Sequence, residues 1–333
     1  MFIIETYTIA VLFCIVTMLC WGSWANTQKL AQKSWRFELF YWDYVLGVVL
    51  LSLIFALTLG SIGEEGRGFI TDLKQAELIN LGSAFLGGIV FNLANILLVM
   101  AIAVAGMAVA FPVGIGLALV LGVLINFIAS PSGDAFWLFL GVGLVAAAII
   151  LDSMVHRKVS QQKDKVPAKG IILSVACGVI MSLFYFFVAR SMSLNFSNPE
   201  AGLMTPYTAV FVFSIGMLVS NFLFNTVIMK RPIEGPPVTY SDYFQGNIKE
   251  HLIGILGGVI WGVGMSFSIL AAEKAGFAIS YGLGQGATLV AALWGVFIWK
   301  EFKGGPKGTN TLITWMFICF FIGLTLIVYA GTV

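Results

Sequence analysis

Residues 86–128 read LGGIVFNLANILLVMAIAVAGMAVAFPVGIGLALVLGVLINFI, and residues 256–298 read LGGVIWGVGMSFSILAAEKAGFAISYGLGQGATLVAALWGVFI. Laid over one another at a shift of 170 they match without a gap, with 13 of 43 positions identical. The identities run from Leu86/Leu256, Gly87/Gly257 and Gly88/Gly258 to Phe127/Phe297 and Ile128/Ile298. One membrane crossing takes about 20 apolar residues, so each stretch holds two. Ala105-Gly106 and Ala275-Gly276 mark the turns between them, because glycine tolerates the backbone a tight hairpin needs.

Working outward, the apolar runs predict ten spans near 7–29, 38–59, 78–101, 106–128, 134–155, 170–192, 203–228, 252–272, 276–299 and 311–330. The third and fourth spans therefore repeat as the eighth and ninth. A shift of five spans, an odd number, turns the second copy upside down. The expected fold is an all-α polytopic membrane protein, ten transmembrane helices in a 5+5 inverted repeat. Its parts are an N-terminal repeat (1–155), a charged linker HRKVSQQKDKVPAK (156–169) and a C-terminal repeat (170–333).

Composition agrees. Of 333 residues, 59% are hydrophobic and 10% charged, against about 25% charged in a soluble domain. With a mean hydropathy of +0.97, most of this surface must face lipid. A net charge of +2 gives no reason to expect nucleic acid as a partner. Cys14, Cys20, Cys177 and Cys319 all fall in apolar runs without metal-ligand spacing. The first residues, MFIIETYTIA, lack a basic region and a cleavage site, so the first run reads as a retained helix. Fourteen of the 18 Lys and Arg residues, among them Lys29, Lys33, Arg36, Lys163 and Lys165, fall on one side of the ten-span plan. The excess of positive charge marks the cytoplasmic side, so both termini are expected away from the cytoplasm, in a multi-pass cell (plasma or inner) membrane protein. Cysteine labels at Ser61 and Ser197 should then react from outside, and one at Ser160 should not.

MLCWGSWANTQKL (18–30), YWDYVLG (41–47), ALTLGSIG (56–63) and YGLGQGATLVAALWGVFIWKEFKG (281–304) together resemble the drug/metabolite transporter superfamily. Within it they resemble the ureide permeases and the bacterial glucose and rhamnose uptake proteins, over nearly the whole chain. The resemblance implies the 5+5 inverted fold and uptake of a small polar solute, a ureide, nucleobase-like compound or sugar, often coupled to protons. Plant ureide permeases carry a long central loop with a nucleotide-binding-like motif. Residues 156–169 are short and lack GxxxxGK[ST], so no ATP role transfers and no cofactor is expected.

The residues also point to a transport site. Asp43 stands one to two turns inside the second span, where a charge costs up to about 2.5–3.5 kcal/mol at mid-membrane, and is the candidate for proton coupling. Trp21 and Trp24 share a face of span one, and Trp21 is deep enough to stack on a solute ring. Asn92 and Asn95, one turn apart in span three, either join helices or line a polar cavity. Trp261 stands mid-span in span eight, seven residues before Ser268. Tyr281, Gln285 and Thr288 form a predicted polar stripe on span nine, and Gln285 replaces the Ile115 of its repeat mate. His156 and His251 fall in or beside loops, which disfavours a histidine relay. Arg190 and Glu200 read as interfacial, and Glu301 as a solvated helix end. No catalytic grouping, metal motif or phosphate loop is present, which disfavours an enzyme. The rival readings are an exporter of the same fold and, far behind, a receptor or scaffold.

Overall fold

Gly106 and Gly276 carry φ of 78° and 83°, a left-handed backbone that an L side chain rarely adopts, and each ends a 28-residue helix. The computed structural model describes residues 1–31, 35–159, 167–232 and 235–333, except for the side chains of residues 107 and 108. Lys33, Ser160, Lys163, Lys165 and the middle of the charged linker lie outside the described residues.

Along the chain, α1 (Tyr7–Ser23) and α2 (Ala25–Leu30) make the first span and α3 (Phe37–Leu57) the second. The short α4 (Phe69–Gln75) precedes α5 (Leu78–Ala105), α6 (Met107–Ala129) and α7 (Ala135–Val159). Then come α8 (Ala168–Ala189), α9 (Pro206–Lys230) and the short α10 (Tyr240–Phe244). Next are α11 (Ile248–Ala275), α12 (Phe277–Gly284), α13 (Ala287–Leu293), a π turn (Trp294–Ile298) and α14 (Thr309–Ala330). Among the described residues, ten helical stretches are long and apolar enough to cross a membrane. Large apolar side chains such as Leu12, Ile54, Ile128, Phe136, Ile172, Phe222 and Phe321 stand exposed around the bundle, as a lipid-facing surface requires.

Glycines set the closest crossings. A Cβ on Gly258 would stand 1.9 Å from the Tyr44 carbonyl oxygen, and one on Gly47 2.2 Å from that of Ile255, so α3 and α11 cross backbone to backbone. A like crossing joins α5 to α9: Gly88, 170 residues before Gly258, meets the Phe213 carbonyl at 2.0 Å, and Gly216, 169 residues after Gly47, meets that of Phe85 at 2.1 Å. Small residues let membrane helices approach this closely and gain dispersion contacts that lipid cannot offer. On α7 and α14 the crossing is reciprocal, with Gly141 against the Gly323 carbonyl (2.6 Å) and Gly323 against that of Gly141 (2.8 Å).

Two features depart from the sequence reading. The ninth span is not one helix: it breaks at Gln285-Gly286 and ends in a π turn. Gly282, Gly284 and Gly286 weaken the helix here. The amides of Gly286, Thr288 and Leu289 bond three residues back instead of four, so the Gln285 carbonyl takes the bond that a regular helix would give Gly284. The second departure is the pair of short helices before α5 and α11. Asp72 of α4 accepts from Thr205 N (2.8 Å) at the start of α9, and Tyr243, next to α10's Asp242, donates to Asp43 (2.6 Å) near the start of α3.

The two ends of the bundle differ. Where α1 begins and α14 ends, residues 59–77 are tied to 191–207. Arg67 pairs with Asp72 (2.8 Å) and donates to the carbonyls of Glu200 (3.0 Å) and Leu203 (3.1 Å). Gln75 receives Gly202 N at 2.7 Å, and Tyr207 donates to the Phe2 carbonyl at 3.0 Å. The opposite, basic end is open.

Candidate functional site

A cavity of about 160 Å³ lies among α1, α5, α6, α8, α11 and the break between α12 and α13. Trp21, Trp24, Asn95, Trp261 and Gln285 all line it, five of the seven residues expected to bind solute.

Trp21 enters because glycines make room. A Cβ on Gly264 would fall 2.6 Å from its ring and one on Gly284 2.8 Å. Its indole stacks on Trp261 at 5.8 Å and 11°, and its Nε1 donates to the Trp261 carbonyl at 3.3 Å. Trp261 also packs on Phe91 at 4.5 Å, and Trp24 on Tyr44 at 4.7 Å. Each such aromatic pair is worth about 0.5–1.5 kcal/mol beyond its area, so this wall is stiff.

Against the aromatic wall stand two amides. Asn95 donates from Nδ2 to the Tyr41 hydroxyl (3.1 Å), leaving its Oδ1 without a protein donor. Gln285 is 8% exposed, and its side-chain amide makes no hydrogen bond among the described residues. Both groups reach the cavity rather than being shut off from it, so the polar edge of a solute there could take their hydrogen bonds in place of water.

The other two expected binders are elsewhere. Asn92 is fully buried, accepting from Tyr41 OH (2.8 Å) and donating to Ser220 Oγ (2.9 Å), so it positions Tyr41 and through it Asn95. Tyr281 is fully buried, its hydroxyl donating to the Ala118 carbonyl (3.0 Å) and its ring filling the space over Gly122. The expected stripe of Tyr281, Gln285 and Thr288 is thus divided: Tyr281 packs on Gly122 in the core, while Gln285 and Thr288, at and after the tightened turn, line the cavity. Ser268 joins a closed set with Tyr185 (3.0 Å) and Ser280 (3.1 Å). Sequence reasoning missed Phe91, Leu98, Phe111, Met181 and Phe184 on the cavity wall, since apolar side chains in an apolar span carry no signal.

Asp43 lies outside this cavity, between α3 and the α10–α11 joint. It is 1% exposed; Oδ1 accepts from Tyr243 OH at 2.6 Å and lies 2.9 Å from His251 Nδ1, while Oδ2 is buried without a partner. The indole Nε1 of Trp35, likewise buried and without a hydrogen bond of normal geometry among the described residues, also bears on the Asp43 carboxylate, and its ring stands edge-on to His251 at 4.9 Å. His251, which the sequence places beside a loop, bears directly on this carboxylate. His251 opens the first turns of α11 and reaches across 208 residues of chain to Asp43. Burial and then the Asp43 carboxylate push the Tyr243 hydroxyl well above its usual pKa of about 10, so it stays a donor at physiological pH.

A second cavity of about 140 Å³ continues the first towards the basic end, sharing Gly22, Ala25, Phe111, Thr288 and Ala291 with it. Its outer wall carries Lys29, Asp152, His156 and Glu301. Asn26 accepts from Trp299 Nε1 (2.7 Å) and Ser23 from Trp294 Nε1 (2.9 Å), which ties α1–α2 to the π turn along one side.

Ten apolar spans enclosing a small aromatic and amide-lined cavity, sealed at one end and open at the other, define a polytopic small-molecule permease. The ureide permease family model matches residues 40–169 and 159–330, and the chain belongs to the ureide permease family. It is 24% identical to ureide permease 1 of Arabidopsis thaliana, with 98% of each chain covered, and 24% identical to ureide permease 2 of the same plant, with 96% of each covered. Transmembrane protein 144 homolog A of Dictyostelium discoideum is 25% identical over 42% of this chain and 36% of its own. A solved crystal structure superposes over 96% of this chain and 97% of its own at a TM-score of 0.66, with 15% identity, which speaks for the fold alone. The chain is a multi-pass membrane transporter.

Proposed function

We propose that this permease takes up a small, flat, polar ring compound of the ureide or nucleobase kind, driven by protons, through alternating access between two inverted five-helix halves. The observation that carries the substrate class is the cavity wall, with indoles of Trp21, Trp24 and Trp261 on one side and the Asn95 carbonyl oxygen and the Gln285 amide on the other. A cavity of about 150 Å³ holds one six-membered ring, so a volume of about 160 Å³ fits a single-ring solute. A planar solute stacks on indole and offers its amide edge to Gln285. A hexose would bury hydroxyls all round its ring with few partners to meet them, at about 1–3 kcal/mol for each left unsatisfied. Ureide permeases among the relatives agree with this choice.

The crossings of Gly258 and Gly88, matched at a shift of 170, with Gly47 and Gly216 opposite them one residue out of that register, support the duplication. With the basic end in the cytoplasm, as the excess of Lys and Arg there favours, the cavity opens inward. Two carboxylates within the spans are suited to proton exchange: Asp43, with its unpartnered oxygen, and Asp152, on the vestibule wall.

The test is counterflow in proteoliposomes with labelled allantoin, uracil, glucose and rhamnose. Exchange of allantoin or uracil well above that of the sugars is expected. Saturable exchange of the sugars alone would overturn the substrate class.

A further inference from the structure

Asp152 sits in the last turns of α7, just before the basic residues His156, Arg157 and Lys158. Its Oδ2 lies 3.9 Å from His156 Nε2, and its Oδ1 is buried from solvent and accepts no hydrogen bond. Elsewhere on the same cavity wall, Glu301 holds Lys29 of α2 at 2.9 Å. That pair is 48% and 37% exposed, the loose kind of ion pair that solvent screens, so Glu301 is free to change partner. The remaining elements around the vestibule, α6 and α14, bring Phe111 and Phe320 to it and no charge. The imidazole of His156 stands edge-on to Phe302 at 4.8 Å, which fixes its ring beside Asp152.

These groups stand where the two halves meet. Asp152 and His156 belong to α7, Lys29 to the end of the first span, and Glu301 to the turn that follows the broken span carrying Gln285. The vestibule they line is continuous with the solute cavity through Thr288 and Ala291. We infer that Asp152, with His156 and Glu301 beside it, forms a proton-binding site on the vestibule wall, and that a proton carried there accompanies the solute. The proton adds to a carboxylate oxygen of Asp152 on one side of the membrane and leaves from it on the other, with no other bond made or broken. Asp152 is 19% exposed to the vestibule, but its Oδ1 is shut off from solvent and meets no donor among the described residues. A proton added there relieves an unpaired oxygen, and the loose Lys29–Glu301 pair leaves water a way in and out. Asp43 lies outside both cavities, held by Tyr243 and His251, so proton exchange there would be separate from that at Asp152.

The inference rests on the proposed uptake, and the experiment separates the two. Purified protein is treated with dicyclohexylcarbodiimide, which reacts with protonated carboxyl groups in apolar surroundings, between about pH 5 and pH 8, the range in which histidine also titrates. Mass spectrometry then locates the adducts. Asp152 should be modified, with labelling lost as pH rises, and the adduct should vanish in Asp152→Asn. No adduct on Asp152 across this range, with the protein folded, would overturn the site whatever the solute is. In proteoliposomes that show counterflow, Asp152→Asn should lose proton-driven accumulation while counterflow survives, and Asp152→Glu should restore accumulation. Normal accumulation in Asp152→Asn would also overturn it. Absent counterflow of every solute by the parent protein, beside pH-dependent labelling of Asp152, would instead count against the uptake reading alone.

Discussion

Asp43 and Gln285 show how differently two polar residues can be read. Gln285 was legible because its repeat mate is Ile115, and a polar residue that breaks the match between two apolar copies has a reason to be there. In the folded chain both residues line the one cavity. Asp43 was legible as a carboxylate within a span, but its partners were not, since nothing local links residue 43 to Tyr243 and His251. Asp152 was not legible, since nothing local in the sequence places it on a cavity wall with Glu301. The Asp43 contacts carry a prediction. Tyr243→Phe removes one of two donors to a buried carboxylate, and a hydrogen bond to a charged group contributes about 1.5–3 kcal/mol. Thermal melting in detergent should show a clear loss of stability, with a smaller effect when the partner is already gone in Asp43→Asn. Additive losses in the double variant would mean that the two side chains do not act on one another. Asp43→Asn by itself should also weaken accumulation against a gradient more than it weakens exchange; unchanged accumulation would make Asp43 a structural joint only.

Helices and their crossings were the best-read part of the chain. Each predicted span has its helical counterpart within a few residues, because length and hydropathy suffice to define a crossing. The break in the ninth span was not read, although its cause is in the sequence. Gly282, Gly284 and Gly286 were visible, yet whether glycines bend a helix or only let a neighbour approach depends on what packs there, here Trp21 and Met18. The short helices α4 and α10 were hidden for a related reason: each is held by contacts to a distant span and has too few turns to be stable alone. Where glycines set a crossing, an added methyl has nowhere to go. Gly258→Ala puts a Cβ 1.9 Å from the Tyr44 carbonyl and Gly88→Ala one 2.0 Å from that of Phe213. Overpacking of this kind costs about 1–3 kcal/mol. Both variants should melt earlier than Gly116→Ala, whose new methyl would meet nothing within 4 Å. Equal melting of all three would deny the close crossings.

At the scale of the whole molecule, sealed and open ends give the structure a direction. Residues 59–77 and 191–207 close one end, while the vestibule opens the other. If the basic end is cytoplasmic, a cysteine at Ser61 or Ser197, both exposed, should react with an impermeant maleimide on intact cells, and one at exposed Ser241 only after permeabilisation. Labelling of Ser241 from outside would invert the molecule. Distant parts of the chain share the cavity: Asn95 comes from α5, Ile115 from α6 and Gln285 from the break between α12 and α13. Counterflow of labelled allantoin by Gln285→Leu, set beside the parent protein and Ile115→Leu, therefore tests the solute site most directly. Losing a neutral hydrogen bond worth about 0.5–1.5 kcal/mol should raise the KM of Gln285→Leu about two- to tenfold, or abolish exchange, while Ile115→Leu stays near the parent. Exchange by Gln285→Leu with the parent's KM and rate would contradict the assignment of this cavity as the place where solute binds.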